Sequence, residues 1–249
     1  MRYFIRLQYD GTSFFGWQKL KNFPTVQGTI EKALSTLLQK TILIHGCGRT
    51  DRGVHAQEYF AHVDLPVIEI SSLLYRVNQL LPNSIRIINF HLVPDNAHAQ
   101  LDSICRTYQY RIHTKKNPFI YPFSYWYQKN LDSKLLEDAS QIILRGEDFQ
   151  NFTKSPQRQN STKCKIHRAE WDFETSGILV FTISADHFLK RMIRILVAKM
   201  LEIASGNMRL EEFRNSLDNQ IPQQFFHIAP PQGLHLVEIS YPDGLIPEM

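Results

Sequence analysis

The order in which the hydrophobic period changes between Arg2 and Val93 constrains this chain more than any other feature. Tyr3, Ile5, Leu7 and Tyr9 alternate with Arg2, Phe4, Arg6 and Gln8, the period of a strand with one more polar face, and the run stops at Asp10-Gly11. After a loop containing Pro24, the residues Val26, Ile30, Leu34, Leu37 and Leu38 recur at helical spacing, with Thr25 available as the N-cap. Strands are expected near Thr41 to Cys47 and Tyr59 to Leu65, then a helix around Ser72 to Leu81 and a strand from Ser84 to Val93. The resulting order, β-α-β-β-α-β, is ferredoxin-like: an antiparallel sheet covered by helices on one face.

A second round begins near Asp102. It has a strand at Ile104 to Ile112, a helix at Ser133 to Leu144, strands near Cys164 to Phe173 and Ile178 to Ser184, helices at about Phe188 to Ser205 and Leu210 to Leu217, and a closing strand at Leu234 to Tyr241. Two related α+β halves, divided as 1–102 and 103–249, are the natural expectation. Thr114 to Asn130, rich in Lys, Pro and aromatics, and the polar, basic stretch Thr153 to Lys165 read as surface loops.

With 249 residues, 43% of them hydrophobic, the chain can bury its cores without covalent staples. Cys47, Cys105 and Cys164 are odd in number and far apart, which fits neither a disulfide framework nor paired zinc ligands, so reduced thiols in a cytoplasm are expected. The opening Met1 to Leu7 lacks the apolar stretch of a signal peptide, and no run approaches the roughly 20 apolar residues of a membrane span. A formal charge of +4 is compatible with a polyanionic partner and does no more than that. None of the ten histidines forms a helical His-x-x-x-His pair or has a Cys partner at ligand spacing, and no nucleotide-binding Gly-rich loop occurs, so neither metal nor cofactor is expected.

Gly46-Cys47-Gly48-Arg49-Thr50-Asp51-Arg52-Gly53 sets a carboxylate between glycines just after an expected strand, where the backbone can turn and aim a side chain outward. Taken alone, Asp51 favours a structural explanation, an Asx-turn or a helix cap. His187, Arg191 and Arg194, at i, i+4 and i+7 with Lys190 adjacent, are expected along one side of a helix whose other side is Ile193, Val197, Met200 and Leu201. That side is either an ordinary solvated basic face or a site. Tyr108 shares a strand face with Ile104, Tyr110 and Ile112 and is either a packed sheet residue or a ring available to a ligand.

Several blocks occur in one order: Tyr9-Asp10-Gly11-Thr12-Ser13-Phe14-Phe15-Gly16-Trp17-Gln18, Thr25-Val26-Gln27, Gly48-Arg49-Thr50-Asp51-Arg52-Gly53-Val54-His55-Ala56 and Leu80-Leu81-Pro82. Later come Arg106-Thr107-Tyr108-Gln109-Tyr110, Asp148-Phe149 with Phe152, Phe188-Leu189 leading into Met192-Ile193-Arg194, and Pro230 to Leu236. Together they resemble the tRNA pseudouridine synthase A (TruA) family over nearly the whole chain, the Gly48 to Ala56 block being the most specific.

The resemblance implies a cofactor-free isomerisation in which uracil is cut from ribose C1′ at N1, rotated and rejoined through C5. By the motif match Asp51 is the catalytic carboxylate, acting as nucleophile or as base at the ribose; both routes resemble the task of a glycosidase carboxylate. Arg194 matches its ionic partner. Tyr108 matches a residue that accepts the C5 proton, stacks on the uracil, or does both. Arg49 matches a residue that displaces the target base, with a plain loop-stabilising role as the alternative, while Lys190 and Arg191 are candidates to reach phosphates. Arg2, Arg6, Arg106, Arg111 and the Lys154 to Lys165 loop are further candidate RNA contacts, each also explicable as surface charge. The family further implies two ferredoxin-like halves whose antiparallel sheets form a central basic cleft, a homodimer, and tRNA uridines of the anticodon arm at positions 38 to 40.

This chain departs from the family pattern at Ala97 and Gln100, at Ile195 and Ala198, and at Lys190-Arg191. Those departures bear on how RNA is gripped and on which site is preferred, as in a divergent paralogue. A tRNA-binding or folding protein that has lost turnover is the rival from another class, and an RNA hydrolase using Asp51 with water is a third reading.

Overall fold

The computed structural model describes residues 1–154, 156–158, 161–173, 177–218 and 227–247. The fold is mixed α+β, in two compact units: one built from Met1–Arg106 together with the chain from His235 onward, the other from Thr107–Leu234. No helix of the described residues is long and apolar enough to cross a membrane.

The first unit contains β1 (Arg2–Tyr9), α1 (Val26–Leu38), β2 (Ile44–Gly46), β3 (His55–Asp64), α2 (Ile70–Leu80), β4 (Ile85–Val93) and, from the far end of the chain, β9 (Leu234–Ser240). β1 lies antiparallel between β3 and β4, with Ile5 opposite both Ala61 and Phe90. β2 pairs antiparallel with the end of β3, Ile44 opposite Val63, while β9 pairs parallel with its beginning, His55 opposite His235. The expected polar face of β1 is only partly so. Phe4 is fully buried, 5.3 Å from the Tyr241 ring, because a central strand is covered on both sides.

α1 starts where the sequence places it. The Thr25 side chain accepts a hydrogen bond from Gly28 N, an N-cap worth about 1 kcal/mol. Val26, Ile30, Ala33 and Leu34 form its buried face. Glu31 is buried on this helix too, and Lys19 Nζ (2.8 Å), Gln27 Nε2 (3.1 Å) and the Ile44 amide (3.2 Å) all donate to its carboxylate. A buried carboxylate without such partners would be strongly destabilising.

The second unit contains β5 (Cys105–His113), β6 (Tyr125–Trp126), α3 (Ser133–Arg145), β7 (Ile166–Phe173), β8 (Ile178–Ala185), α4 (Met192–Ala204) and α5 (Leu210–Asp218). Its strands run in the order β5-β8-β7, with β6 parallel to β5 through Ile112 and Tyr125. The β7–β8 register sets Ala169 opposite Ile183 and Trp171 opposite Phe181, so these apolar residues share one face while Arg168, Glu170 and Asp172 take the other. β6 lies inside the stretch expected to be loop. It is a two-residue strand whose partner is remote in sequence, which no local period can reveal.

Candidate functional site

The Asp51 loop runs from the end of β2 to the start of β3, and almost every fixed point of it comes from another quoted block of the sequence. The Tyr9 hydroxyl bonds the Thr50 hydroxyl at 2.8 Å. Trp17 N donates to Thr50 O (3.3 Å) and Gly53 N to Phe14 O (3.3 Å). The loop also closes on itself, Val54 N donating to Asp51 O at 3.2 Å. His55 Nδ1 accepts from Gly11 N at 3.2 Å and lies 3.1 Å from the Asp10 carboxylate, while its ring stacks on His235. His55 thus packs and ties the loop, as its position beside the motif suggests.

Beneath the loop, Trp17 stacks on Tyr59 at 4.0 Å, and the Tyr59 hydroxyl donates to Gly48 O. Two glycines are required by close approach. A Cβ on Gly11 would overlap the Val54 carbonyl, and Gly16, at φ +86°, presses against the Thr50 carbonyl. Thr25-Val26-Gln27 belongs to the same assembly: Val26 N bonds Gly16 O (3.2 Å), Gln27 N bonds Trp17 O (3.0 Å), and the Gln27 side chain donates to Ile44 O (2.9 Å).

Asp51 itself is half-buried and Arg49 is exposed. Arg52 caps the ring of Phe15 at 4.2 Å, a cation–π contact that fixes the outer side of the loop. The backbone on either side of Asp51 is thus held by contacts with several other segments of the first unit.

In the second unit, Tyr108 is a half-buried residue of β5 and meets Phe188 edge-on at 5.3 Å. Tyr110, two residues on and fully buried, donates its hydroxyl to Pro230 O at 2.7 Å. Burial pushes that hydroxyl well above its ordinary range, with the charge of Arg194 pulling the other way.

The expected helix over Phe188 to Ser205 is corrected here. α4 begins only at Met192, because Arg191 sits in the left-handed region at φ +66°. His187, Lys190 and Arg191 therefore precede the helix and do not form an i, i+4, i+7 stripe with Arg194. Nor does α4 have a basic side: it is buried nearly all round, including Lys199, which pairs with Glu202 at 2.8 Å. Arg194 lies in its first turn and donates Nε to Ala229 O at 2.7 Å, and Ala229 N returns a bond to Arg194 O. Lys190 is exposed, and its carbonyl accepts from the buried Thr153 hydroxyl at 3.1 Å. Thr153 follows the Asp148-Phe149…Phe152 block, so that block anchors the approach to α4, a role that spacing alone does not suggest. His187 lies 3.6 Å from the buried Cys164 thiol, which burial first, then Asp186 and Asp148, push up to about 12.

Several arginines named as RNA contacts have structural work. Arg2 forms a two-pronged pair with Asp64 (2.9 Å each) and Arg6 pairs with Glu58 (2.7 Å). Arg106 donates to Cys47 O and Gln100 O. Arg111 lines a concavity of ≈ 560 Å³ together with Arg168, Glu170 and Asp172, a face of mixed sign. Of the Lys154 to Lys165 loop, residues 155, 159 and 160 lie outside the described residues. The departures Ala97, Ile195 and Ala198 are buried packing positions, whereas Gln100 is exposed. His45, His62 and His98 gather by ring contact at 4.9 and 4.5 Å, and among the described residues no three His, Cys, Asp or Glu are set to hold a metal ion.

A family model described as tRNA pseudouridine synthase matches residues 144–242. The chain is 36% identical over 248 residues to a tRNA pseudouridine synthase A of Porphyromonas gingivalis, with 98% of each chain covered. It is 38% identical over 248 residues to one of Parabacteroides distasonis, covering 99% of this chain and 98% of the relative. A third, of Bacteroides fragilis, is 37% identical over 246 residues, with 98% of each chain covered. With relatedness of that depth over its whole length, the chain belongs to the tRNA pseudouridine synthase A family.

Proposed function

We propose that this chain converts uridine to pseudouridine in tRNA, with Asp51 as the catalytic carboxylate. The observation that carries the reading is 36 to 38% identity over at least 98% of the chain to proteins named for that activity. The support for Asp51 in particular is its loop: the Tyr9 to Trp17 block grips the backbone on either side of this half-buried residue, and the Thr25 to Gln27 block braces that grip.

The reaction is a redox-neutral rearrangement. The C1′–N1 bond breaks, the uracil rotates, a C1′–C5 bond forms, the C5 proton leaves and the freed N1 takes up a proton, so reactant and product contain the same atoms. Asp51 acts at the ribose, as nucleophile or base, where positive character develops. Arg194 is assigned as the ionic partner of Asp51 by the motif match. Tyr108 receives the C5 proton or stacks on the uracil, and its edge-on contact with Phe188 supports a fixed ring. Arg49, exposed on the catalytic loop, takes the place of the extruded base, and Lys190 and Arg191 meet phosphates ahead of α4.

The favoured substrates are anticodon-arm uridines at positions 38 to 40, bound by a cytoplasmic homodimer. Each unit is a ferredoxin-like half. The strand order β4-β1-β3 with β2 on β3, and the order β5-β8-β7, both place the unit's first strand beside its third long strand.

The test is an unmodified tRNA transcript incubated with the protein and mapped by carbodiimide-directed primer extension. New stops at positions 38 to 40 are expected, and Asp51→Ala should lose at least about 10³-fold in turnover while still binding tRNA. Tight binding without product from the native chain would leave only an RNA-binding protein, and full activity in Asp51→Ala would remove the carboxylate assignment.

A further inference from the structure

Between β5 and α3 the chain carries six aromatic and three lysine residues in 114–130, with no Asp or Glu. The catalytic reading uses none of them. Phe119 is 90% exposed and Tyr121 53%, which is costly for side chains of this size in water. Lys115 and Lys116 stand exposed just before them, and the Lys116 ammonium lies 5.8 Å from the centre of the Trp126 ring.

The segment is built to hold this exposure. Asn117 makes an Asx-turn, its Oδ1 accepting from Phe119 N at 3.0 Å and its carbonyl accepting from Tyr121 N at 3.1 Å. At the base, the buried Ser124 hydroxyl bonds Ile120 O (2.7 Å) and His113 Nδ1 (2.8 Å), and Tyr125–Trp126 pairs with β5. Aromatic rings held out on a rigid turn lose little entropy on meeting a partner.

We propose that Phe119 and Tyr121, flanked by Lys115 and Lys116 in the second unit, form an accessory stacking surface for unpaired nucleotides of the tRNA; this rests on the reading that the chain acts on tRNA. The chemistry matches single-stranded nucleic acid. Every base offers a π-face to an aromatic ring, and the phosphates between bases meet ammonium groups. Charge decides against a second copy of this chain. Two identical patches brought together about a two-fold axis would oppose lysine to lysine, with no carboxylate in the segment to balance them.

The full chain is tested as the Phe119→Ala/Tyr121→Ala double variant. The affinity for tRNA should fall at least about tenfold, with turnover at saturating tRNA within about twofold of the native chain. Phe119→Trp should restore affinity, and its indole emission should be quenched on adding tRNA. Lys115→Gln/Lys116→Gln should lower the slope of log affinity against log salt by about 1.4. Unchanged affinity in the double variant, or unchanged emission at Trp-substituted position 119, would overturn the proposal. So would a shift from dimer to monomer by light scattering with tRNA affinity intact, since the surface would then belong to self-association. Affinity is read independently of product, so a native chain that binds tRNA through this surface and makes no pseudouridine would sink the catalytic reading alone.

Discussion

The Asp51 loop and the approach to α4 hold their candidate site residues in opposite ways. The first is a turn with little regular structure, pinned from several sides by hydrogen bonds with Tyr9, Phe14, Trp17 and Tyr59. The second precedes a regular, nearly all-buried helix, yet its geometry depends on one strained backbone position, Arg191 at φ +66°. Irregular backbone can therefore be the firmer platform, provided that other segments converge on it. A regular helix, in turn, says nothing of the residues just before its first turn.

The contrast breaks most sharply at the glycines. Gly11→Ala should destabilise the first unit by about 3 kcal/mol or more, since a Cβ there meets the Val54 carbonyl and not a yielding side chain. Turnover should fall with it although Asp51 is untouched. Gly48→Ala, whose Cβ would have Arg106 Nε as its nearest atom at 3.9 Å, should stay within about 0.5 kcal/mol. Thermal unfolding beside tRNA turnover checks the pair. Equal effects would mean that the loop is not gripped through Gly11.

Acid should probe the first unit nearly as strongly. Burial, then the charges of His98, Arg2 and His45, push His62 down from 6.5 to about 4, against the opposing pull of Asp64. Its Nδ1 also accepts from Ala99 N at 3.1 Å, a bond that a proton would remove. The unfolded chain takes up this proton near pH 6.5 and the folded chain only near 4. Stability is thus full above about pH 6.5 and lost as pH falls through that window, by up to about 3 kcal/mol. His62→Gln should flatten most of this slope in denaturant melts, leaving the smaller share of His91, also pushed down by burial. An unchanged profile would rule out His62 as the sensor.

The smallest effect sharpens the other side of the comparison. In a continuous helix Arg191→Gly would cost about 1 kcal/mol relative to alanine. In the left-handed region the order reverses, and glycine should be the more stable of the two by about 1 kcal/mol. Melting temperatures of Arg191→Gly and Arg191→Ala decide between these.

Much of the element order was legible because it rests on local period and caps: β1, α1 with Thr25, α3 and the β7–β8 pair fall within a few residues of their expected bounds. The break before α4 was not. Leu189 lies three residues before Met192 and extends the helical period backwards, and a period carries no information about φ. The carboxylate between glycines was legible as a turn, whereas its supports were not, since Thr50 meets Tyr9 across forty-one positions of sequence. Only the joint occurrence of the quoted blocks hinted that they serve one loop.

The pairing of β9 with β3 bears on how the protein is made. His235 and Leu236 bond the start of β3 beside the loop, Ile239 N reaches Glu58, and the Tyr241 hydroxyl reaches Ala99 O. A ribosome delivers the N-terminal strands first, at about 5 to 20 residues per second. Until translation has passed β9, the start of β3, beside the Asp51 loop, lacks its parallel partner, while β1 and β2 can already pair with the rest of the strand. A chain stalled before β9 would also lack the contacts of Ile239 N with Glu58 and of the Tyr241 hydroxyl with Ala99 O.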